Sequence, residues 1–317
     1  MSTKLKEHMV APQKRLGFIG LGAMGKPIAQ NIAKRLDIAI NVYDVNAEAM
    51  ADSNEWGAVV SSSPAEVAAS SDIIFTMLPA DEHLLAVALG ADGIIQSARD
   101  GLTLVDFSTL GPATIREIDA NFHESGARCL SAAVTLGVPR AIEGTLSIYV
   151  DAAVHEDEAI MAFIRGCSST VLPIGELGSA KVIKLVNNFL TGVGNAAIAE
   201  VIALGVKAGV PLETLLRLLL KGSAASFLME KDVMETVPVG DLGPGRFSTD
   251  FMVKDLKLAQ EMARQFGHPT HFAATALAAY NGSRAYGHAD DYVGSVIRWY
   301  EVAANMEPVG PIEKAQS

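Results

Sequence analysis

The sequence predicts an α/β Rossmann-type domain followed by an all-α domain. Three observations predict it. Short apolar runs alternate with helical stretches through the first half; a G-x-G-x-x-G spacing follows the first apolar run; and no strand-like alternation appears after about residue 180. A chain of 317 residues exceeds what one compact core usually serves, so residues 14–178 and 179–317 are read as two domains.

The elements follow in order. "RLGFIG" reads as a strand and Gly25 to Arg35 as a helix. "IAINVYD", "SDIIFTMLP" and "LTLVDFST" are further strands, with helical patterns around 81–89 and 112–124. "RCLSAAV", "TLSIYVD" and "STVLPIG" complete the series, and the repetition of strand, helix and strand predicts a parallel sheet covered on both faces. From Ser179 to Lys207 the pattern is one long helix, expected to run directly from one domain into the next. "LETLLRLLL", "STDFMVKDLKLAQEMARQFG", "HFAATALAAYNGSRAYG" and "DYVGSVIRWYEVAA" are four more helices.

The stretch "GFIGLGAMGKPIAQ" carries the first chemical signal. Gly20 permits the tight turn, Gly22 lets backbone approach a pyrophosphate, and Gly25 lets the helix pack on the strand. Ala23 and Met24 lie inside this loop, and the helix that follows offers unpaired N–H groups to phosphate. The second strand ends at Asp44, 22 residues after Gly22, where an acid would bond the adenosine ribose. That carboxylate would repel a 2′-phosphate, and "VNAEAM" supplies no cation to hold one. The expected cofactor is therefore NAD in preference to NADP, with Leu78 and Pro79 after the "SDIIFTM" strand also expected at the cofactor.

Composition limits the partners. Lys and Arg total 25 against 36 Asp and Glu, a net charge of −11 without a basic cluster, so nucleic acid and anionic membrane surfaces are poor candidates. The two cysteines, Cys129 and Cys167, show no ligand spacing and read as free thiols in a reducing compartment. The start, "MSTKLKEHMVAPQK", has no apolar h-region and reads as a loose arm. No run approaches the roughly 18 uncharged apolar residues of a membrane span, so a soluble, cytoplasmic protein is expected. Asp81, Glu82 and His83 read as the first turn of a helix, where acids suit the dipole, and no metal site is expected.

The chain resembles the β-hydroxyacid dehydrogenases, the group that includes 3-hydroxyisobutyrate dehydrogenase and tartronate semialdehyde reductase. Besides "GFIGLGAMG", the resemblance rests on "DFSTLGP" at 106–112, "GTLSIYV" at 144–150, "GSAKVIKLVNN" at 178–188 and "KDLKLA" at 254–259. It implies a hydride transfer between NAD and a short hydroxyacid or its semialdehyde. It also implies Lys184 as the catalytic lysine, Asn188 as the asparagine that positions substrate, Ser108 as the serine of the substrate motif and Lys254 as a lysine near the nicotinamide. Lys184 and Asn188 are four apart and share a helix face. A free lysine titrates near ~10.4, and burial or the neighbouring Lys181 or Lys254 would bring it closer to neutrality. A homodimer or homotetramer is expected, with contacts from the helical domain.

One stretch departs from the family. Where the family usually carries D-A-P-V-S-G-G, this chain has "SAAVTLG", Ser131 to Gly137. Thr135, Leu136 and Gly137 fall where the loop should grip the substrate carboxylate, and Leu136 adds bulk where backbone should approach closely. Arg140 is the nearest cation. An aldehyde or imine reductase and a non-catalytic nucleotide-binding protein are the competing readings; the retained Lys184 and the net charge of −11 count against them.

Overall fold

The computed structural model describes residues 14–311. The expected N-terminal arm, Lys14 apart, lies outside them. The chain packs as two compact units, one running to Lys184 and one starting at Leu185.

The first unit is built on an eight-stranded sheet: β1 Leu16–Ile19, β2 Ile40–Tyr43, β3 Ala58–Val60, β4 Ile73–Thr76, β5 Thr103–Asp106, β6 Arg128–Thr135, β7 Leu146–Val150 and β8 Ser168–Pro173. Their order is β3-β2-β1-β4-β5-β6-β7-β8. Neighbours run parallel except β6 and β7, which are antiparallel. The uniformly parallel sheet expected from the sequence is thus corrected at one step. Only ten residues, 136–145, link β6 to β7. That is short of the dozen or more a parallel crossover needs. The short edge strand β3 was not foreseen; two of its three residues are exposed, so it carries little apolar signal.

Alternate residues of the central strands feed opposite faces. Phe18, Phe75 and Val105 join a core with Ile28, Ile32 and Phe163. Ile19, Ile74 and Leu104 join another with Val67, Leu84 and Ile115. Burial on both faces is why these strands read as continuous apolar runs.

The long helix Ser179–Lys207 contributes its first six residues to this unit, because Ala180 and Lys181 are buried against the strand ends. By compactness the boundary between the two units falls after Lys184, inside the helix.

The second unit is helical. It comprises the rest of that helix, then Leu212–Leu219, a π-helical turn at Leu228–Val233, Thr249–Gln265, His271–Ala285 and Val296–Ala303, around a core that includes Met252, Leu256, Tyr280 and Ile297. The π turn was not foreseen. The expected helix over "DYVGSVIRWYEVAA" begins only with a 3₁₀ turn at Val293–Ser295.

Helix Ser179–Lys207 is long and apolar enough, by length and composition, to cross a membrane. The physical reason is two apolar faces. Ala196, Ala199, Ile202 and Ala203 are buried in the second unit's core, while Val186, Leu190, Val201 and Leu204 form an exposed stripe. Buried Asn188 and Asn195 interrupt the apolar run.

Candidate active site

The loop after β1 is shaped by backbone crowding. Gly20 has φ +96°, and a Cβ there would stand 2.3 Å from the Met77 carbonyl oxygen. A Cβ on Gly25 would stand 1.9 Å from the Gly20 oxygen, whereas one on Gly22 would meet nothing within 4 Å. Gly20 and Gly25 therefore close the turn onto its own fold, and Gly22 leaves open space above the backbone. A pyrophosphate fits that arrangement. Ala23 is exposed and Met24 packs on the core. Helix Gly25–Leu36 starts without a side-chain cap and without an acid in its first turn, leaving its N–H groups for an anion.

Asp44 follows the end of β2 and reaches back to the loop. Its Oδ2 accepts the Leu21 N–H at 2.6 Å and its Oδ1 accepts the Asn46 N–H at 2.8 Å. β1 and β4 are the neighbours at which the strand order reverses, the usual dinucleotide crevice of such sheets. Leu78 and Pro79 lie just past β4, with Leu78 half-buried and Pro79 exposed.

The ends of β4, β5 and β6 converge on a buried polar cluster. The Asp106 carboxylate accepts from Thr76 Oγ1 (2.7 Å), Ser108 Oγ (2.6 Å) and Ser108 N (3.0 Å). It also accepts from Lys181 Nζ at 2.6 Å. Ser108 is fully buried, and its hydroxyl donates to Asp106 while accepting from the Leu78 N–H at 2.7 Å. That hydroxyl is engaged on both sides within the fold and fixes the Leu78 backbone. Lys181 is equally buried.

The departing stretch has a distinct geometry. Thr135 Oγ1 donates to the Ser147 carbonyl at 3.0 Å. Leu136 adopts φ +76° and Gly137 φ +71°, just before helix Gly137–Glu143. Leu136 is 57% exposed. Arg140 pairs with Glu143 on the surface of that helix at 2.8 Å. Ser131, standing where the family has an acid, donates from N and Oγ to Asp151 at 2.9 and 2.7 Å. Asp151, a residue the sequence reading did not single out, also accepts from the Gly178 and Ala180 N–H groups, both at 3.0 Å.

Lys184 is half-buried on the helix Ser179–Lys207. In the second unit, the Asn188 amide donates to Asp255 Oδ2 at 2.5 Å, and Lys254 Nζ stands 3.1 Å from Asp255 Oδ1. Asp255 is buried and was also missed; its only sequence signal is its place directly after Lys254 in "KDLKLA". Asp81 sits in the first turn of its helix and accepts from the Gly111 N–H and Thr114 Oγ1. Both cysteines are buried and unpaired, and burial pushes the Cys167 thiol up to about 12. Among the described residues, no group of three or more His, Cys, Asp or Glu is placed to hold a metal ion.

The sheet order, the glycine loop and the acid after β2 together define a dinucleotide-binding fold of the Rossmann class. Residues 15–175 match the family described as the NAD binding domain of 6-phosphogluconate dehydrogenase, and residues 178–300 match NAD-binding of NADP-dependent 3-hydroxyisobutyrate dehydrogenase. The 2-(hydroxymethyl)glutarate dehydrogenase of Eubacterium barkeri is 33% identical over 93% of this chain and 98% of its own length. The mitochondrial 3-hydroxyisobutyrate dehydrogenase of Homo sapiens is 32% identical over 92% of this chain and 88% of its own. The solved 3-hydroxyisobutyrate dehydrogenase of Mycobacterium tuberculosis with L-serine superposes with a TM-score of 0.80 at 26% identity, over 90% of this chain and 99% of that one. The chain belongs to the β-hydroxyacid dehydrogenase family. It is an oxidoreductase, and NAD is its cofactor.

Proposed function

We propose that this protein transfers hydride between NAD and a short-chain hydroxyacid of the 3-hydroxyisobutyrate kind, or its semialdehyde, with Lys184 as the proton-transfer group. The observation that carries the reading is the helix Ser179–Lys207. It holds a half-buried Lys184 one turn before an Asn188 whose amide is oriented by buried Asp255. NAD supplies hydride chemistry when bound; the protein supplies aim and proton transfer. In oxidation Lys184 takes the hydroxyl proton of substrate; in reduction its ammonium returns a proton to the carbonyl oxygen. Asn188 holds substrate, and Asp255 holds Asn188.

Gly20, Gly22, Ala23, Met24 and Gly25 would carry the pyrophosphate, Asp44 the adenosine ribose, and Leu78, Pro79 and Lys254 the remaining cofactor contacts. Thr135, Leu136 and Gly137 would shape the pocket for the substrate's acid group. Ser108 acts in this scheme by fixing the Leu78 backbone, since its hydroxyl is already shared between Leu78 and Asp106.

The exposed stripe Val186, Leu190, Val201 and Leu204 supports a homo-oligomer. The buried, unpaired thiols Cys129 and Cys167 suit a reducing compartment such as the cytoplasm.

The test is NADH formation across a panel of short hydroxyacids, including serine, 3-hydroxyisobutyrate, glycerate, threonate and 4-hydroxybutyrate, for the wild type and Lys184→Ala. The variant should bind NAD nearly as the wild type does and lose roughly 10²–10⁴-fold in kcat, the usual contribution of a positioned acid or base. Lys184→Arg should not rescue it, because guanidinium stays protonated. A folded, NAD-binding Lys184→Ala protein that keeps most of its turnover would remove this mechanism.

A further inference from the structure

Lys181 stands three residues before Lys184 and has no access to solvent. Its ammonium lies 2.6 Å from Asp106 Oδ2, 2.8 Å from the Asp106 carbonyl oxygen, and 2.7 Å from each of the Ser108 and Ala132 carbonyl oxygens. An ammonium has three protons, so four acceptors at these distances saturate it. Two of the carbonyls belong to the end of β5 and the loop after it, and the third to β6. One side chain of the helix thus ties its first turn to the end of β5 and the middle of β6.

A second tie acts on the same turn from the backbone side. The buried Asp151 carboxylate accepts the Gly178 and Ala180 N–H groups as well as Ser131 N and Oγ. An anion at that end is favoured by the helix dipole. The pair Lys181–Asp106 is itself enclosed, with no exposure on either side chain. A buried ion pair seldom adds stability over an apolar replacement of the same shape, but it does impose one geometry, because any slip leaves a charge unpaired.

We propose that Lys181 is a positioning residue for the reaction. Its ammonium, locked by Asp106 and the backbone carbonyls, sets the height and rotation of the first turn of helix Ser179–Lys207, and so the place of Lys184 one turn on. Asp151 holds the same turn against sliding along its axis. The sequence shows two lysines at this spacing without distinguishing them; burial assigns one to structure and leaves the other half-exposed for chemistry.

The inference rests on the reading of Lys184 as the proton-transfer group, and its test separates the two. Lys181→Met keeps the length and removes the charge; Lys181→Met with Asp106→Asn removes both members of the pair and serves where the single variant does not fold. In whichever folds, NAD affinity should stay within about threefold. kcat should fall about 10–100-fold with KM little changed, since a displacement of about an ångström in a catalytic group costs on the order of 100-fold. The pH dependence of kcat should also move. A purely structural role would lower the melting temperature and leave kcat per folded molecule and its pH profile unchanged, and that result overturns the proposal. In the unaltered protein, the amides of Val182, Ile183 and Lys184 should exchange with deuterium only as slowly as the core of β5. Fast local exchange there overturns the proposal without any variant or substrate. If no hydroxyacid is turned over while that protection holds, the functional reading fails and the tie of the helix stands.

Discussion

Leu136 offers a test that joins its backbone geometry to the substrate pocket proposed above. It is a branched residue at φ +76° and ψ 5°, in the left-handed region that glycine occupies without penalty. An L-residue in that region is disfavoured by roughly 1–2 kcal/mol. Leu136→Gly removes the strain and gives back about 0.5–1 kcal/mol through the freedom of glycine in the unfolded chain. At 57% exposure the side chain contributes little apolar burial. The cleanest comparison is with Leu136→Ala, which loses the same packing and keeps the strain. Leu136→Gly should be the more stable of the two by about 1 kcal/mol, reversing the order expected at ordinary φ. For a chain of 317 residues that is a difference of about 1.5 °C in Tm, measurable by calorimetry on matched samples. Strain of this kind persists where a site uses it. Leu136→Gly should therefore also widen the range of hydroxyacids accepted in the NADH assay. An alanine variant as stable as the glycine variant would refute the backbone argument. Unchanged relative kcat/KM for every substrate would show that Leu136 does not line the pocket.

Asp44→Arg should shift the ratio of NAD to NADP affinity toward NADP, because a carboxylate at the proposed ribose position is exchanged for a cation; fluorescence titration of both cofactors reads it, and an unchanged ratio would place the ribose elsewhere. The Asp72 carboxyl is held down to about 2, chiefly by its hydrogen bonds with Arg15, with Arg99 adding to it. Because its folded value lies below the unfolded one, its contribution is fully present above pH ~4 and is lost as pH falls through about 2. The stability gap between wild type and Asp72→Asn should be on the order of 1 kcal/mol at neutral pH, given the exposure of Arg15, and should close across that window in acid denaturation curves. Leu190→Glu with Leu204→Glu should lower the mass found by analytical ultracentrifugation; an unchanged mass would mean that this stripe is not the self-association face.

The legible parts of this protein are those whose signal is local in the chain. Gly20, Gly22 and Gly25 are readable because their spacing falls within six residues, although the Met77 carbonyl that crowds Gly20 comes from the end of another strand. The strands β1, β4 and β5 are readable because burial on both faces makes them apolar throughout. Helix Ser179–Lys207 is readable in extent for a similar reason, yet its two apolar faces give it the length and composition of a membrane span. The illegible parts depend on residues far apart. Lys181 meets Asp106 across 75 positions, and Asn188 meets Asp255 across 67. No periodicity links such pairs, so the sequence offers each acid only as a strand end or a neighbour of a lysine. Asp151 shows the limit most clearly. The altered stretch Ser131–Gly137 reads as a lost acid, because Ser131 stands where the family has a carboxylate. In three dimensions Ser131 is hydrogen-bonded to a carboxylate supplied from just past β7, 20 residues on, which also holds the start of the lysine helix. A motif is a pattern in one dimension, whereas the requirement it serves is a charge at a point in space. Ser131 breaks the one-dimensional pattern, yet a carboxylate stands within hydrogen-bond distance of it.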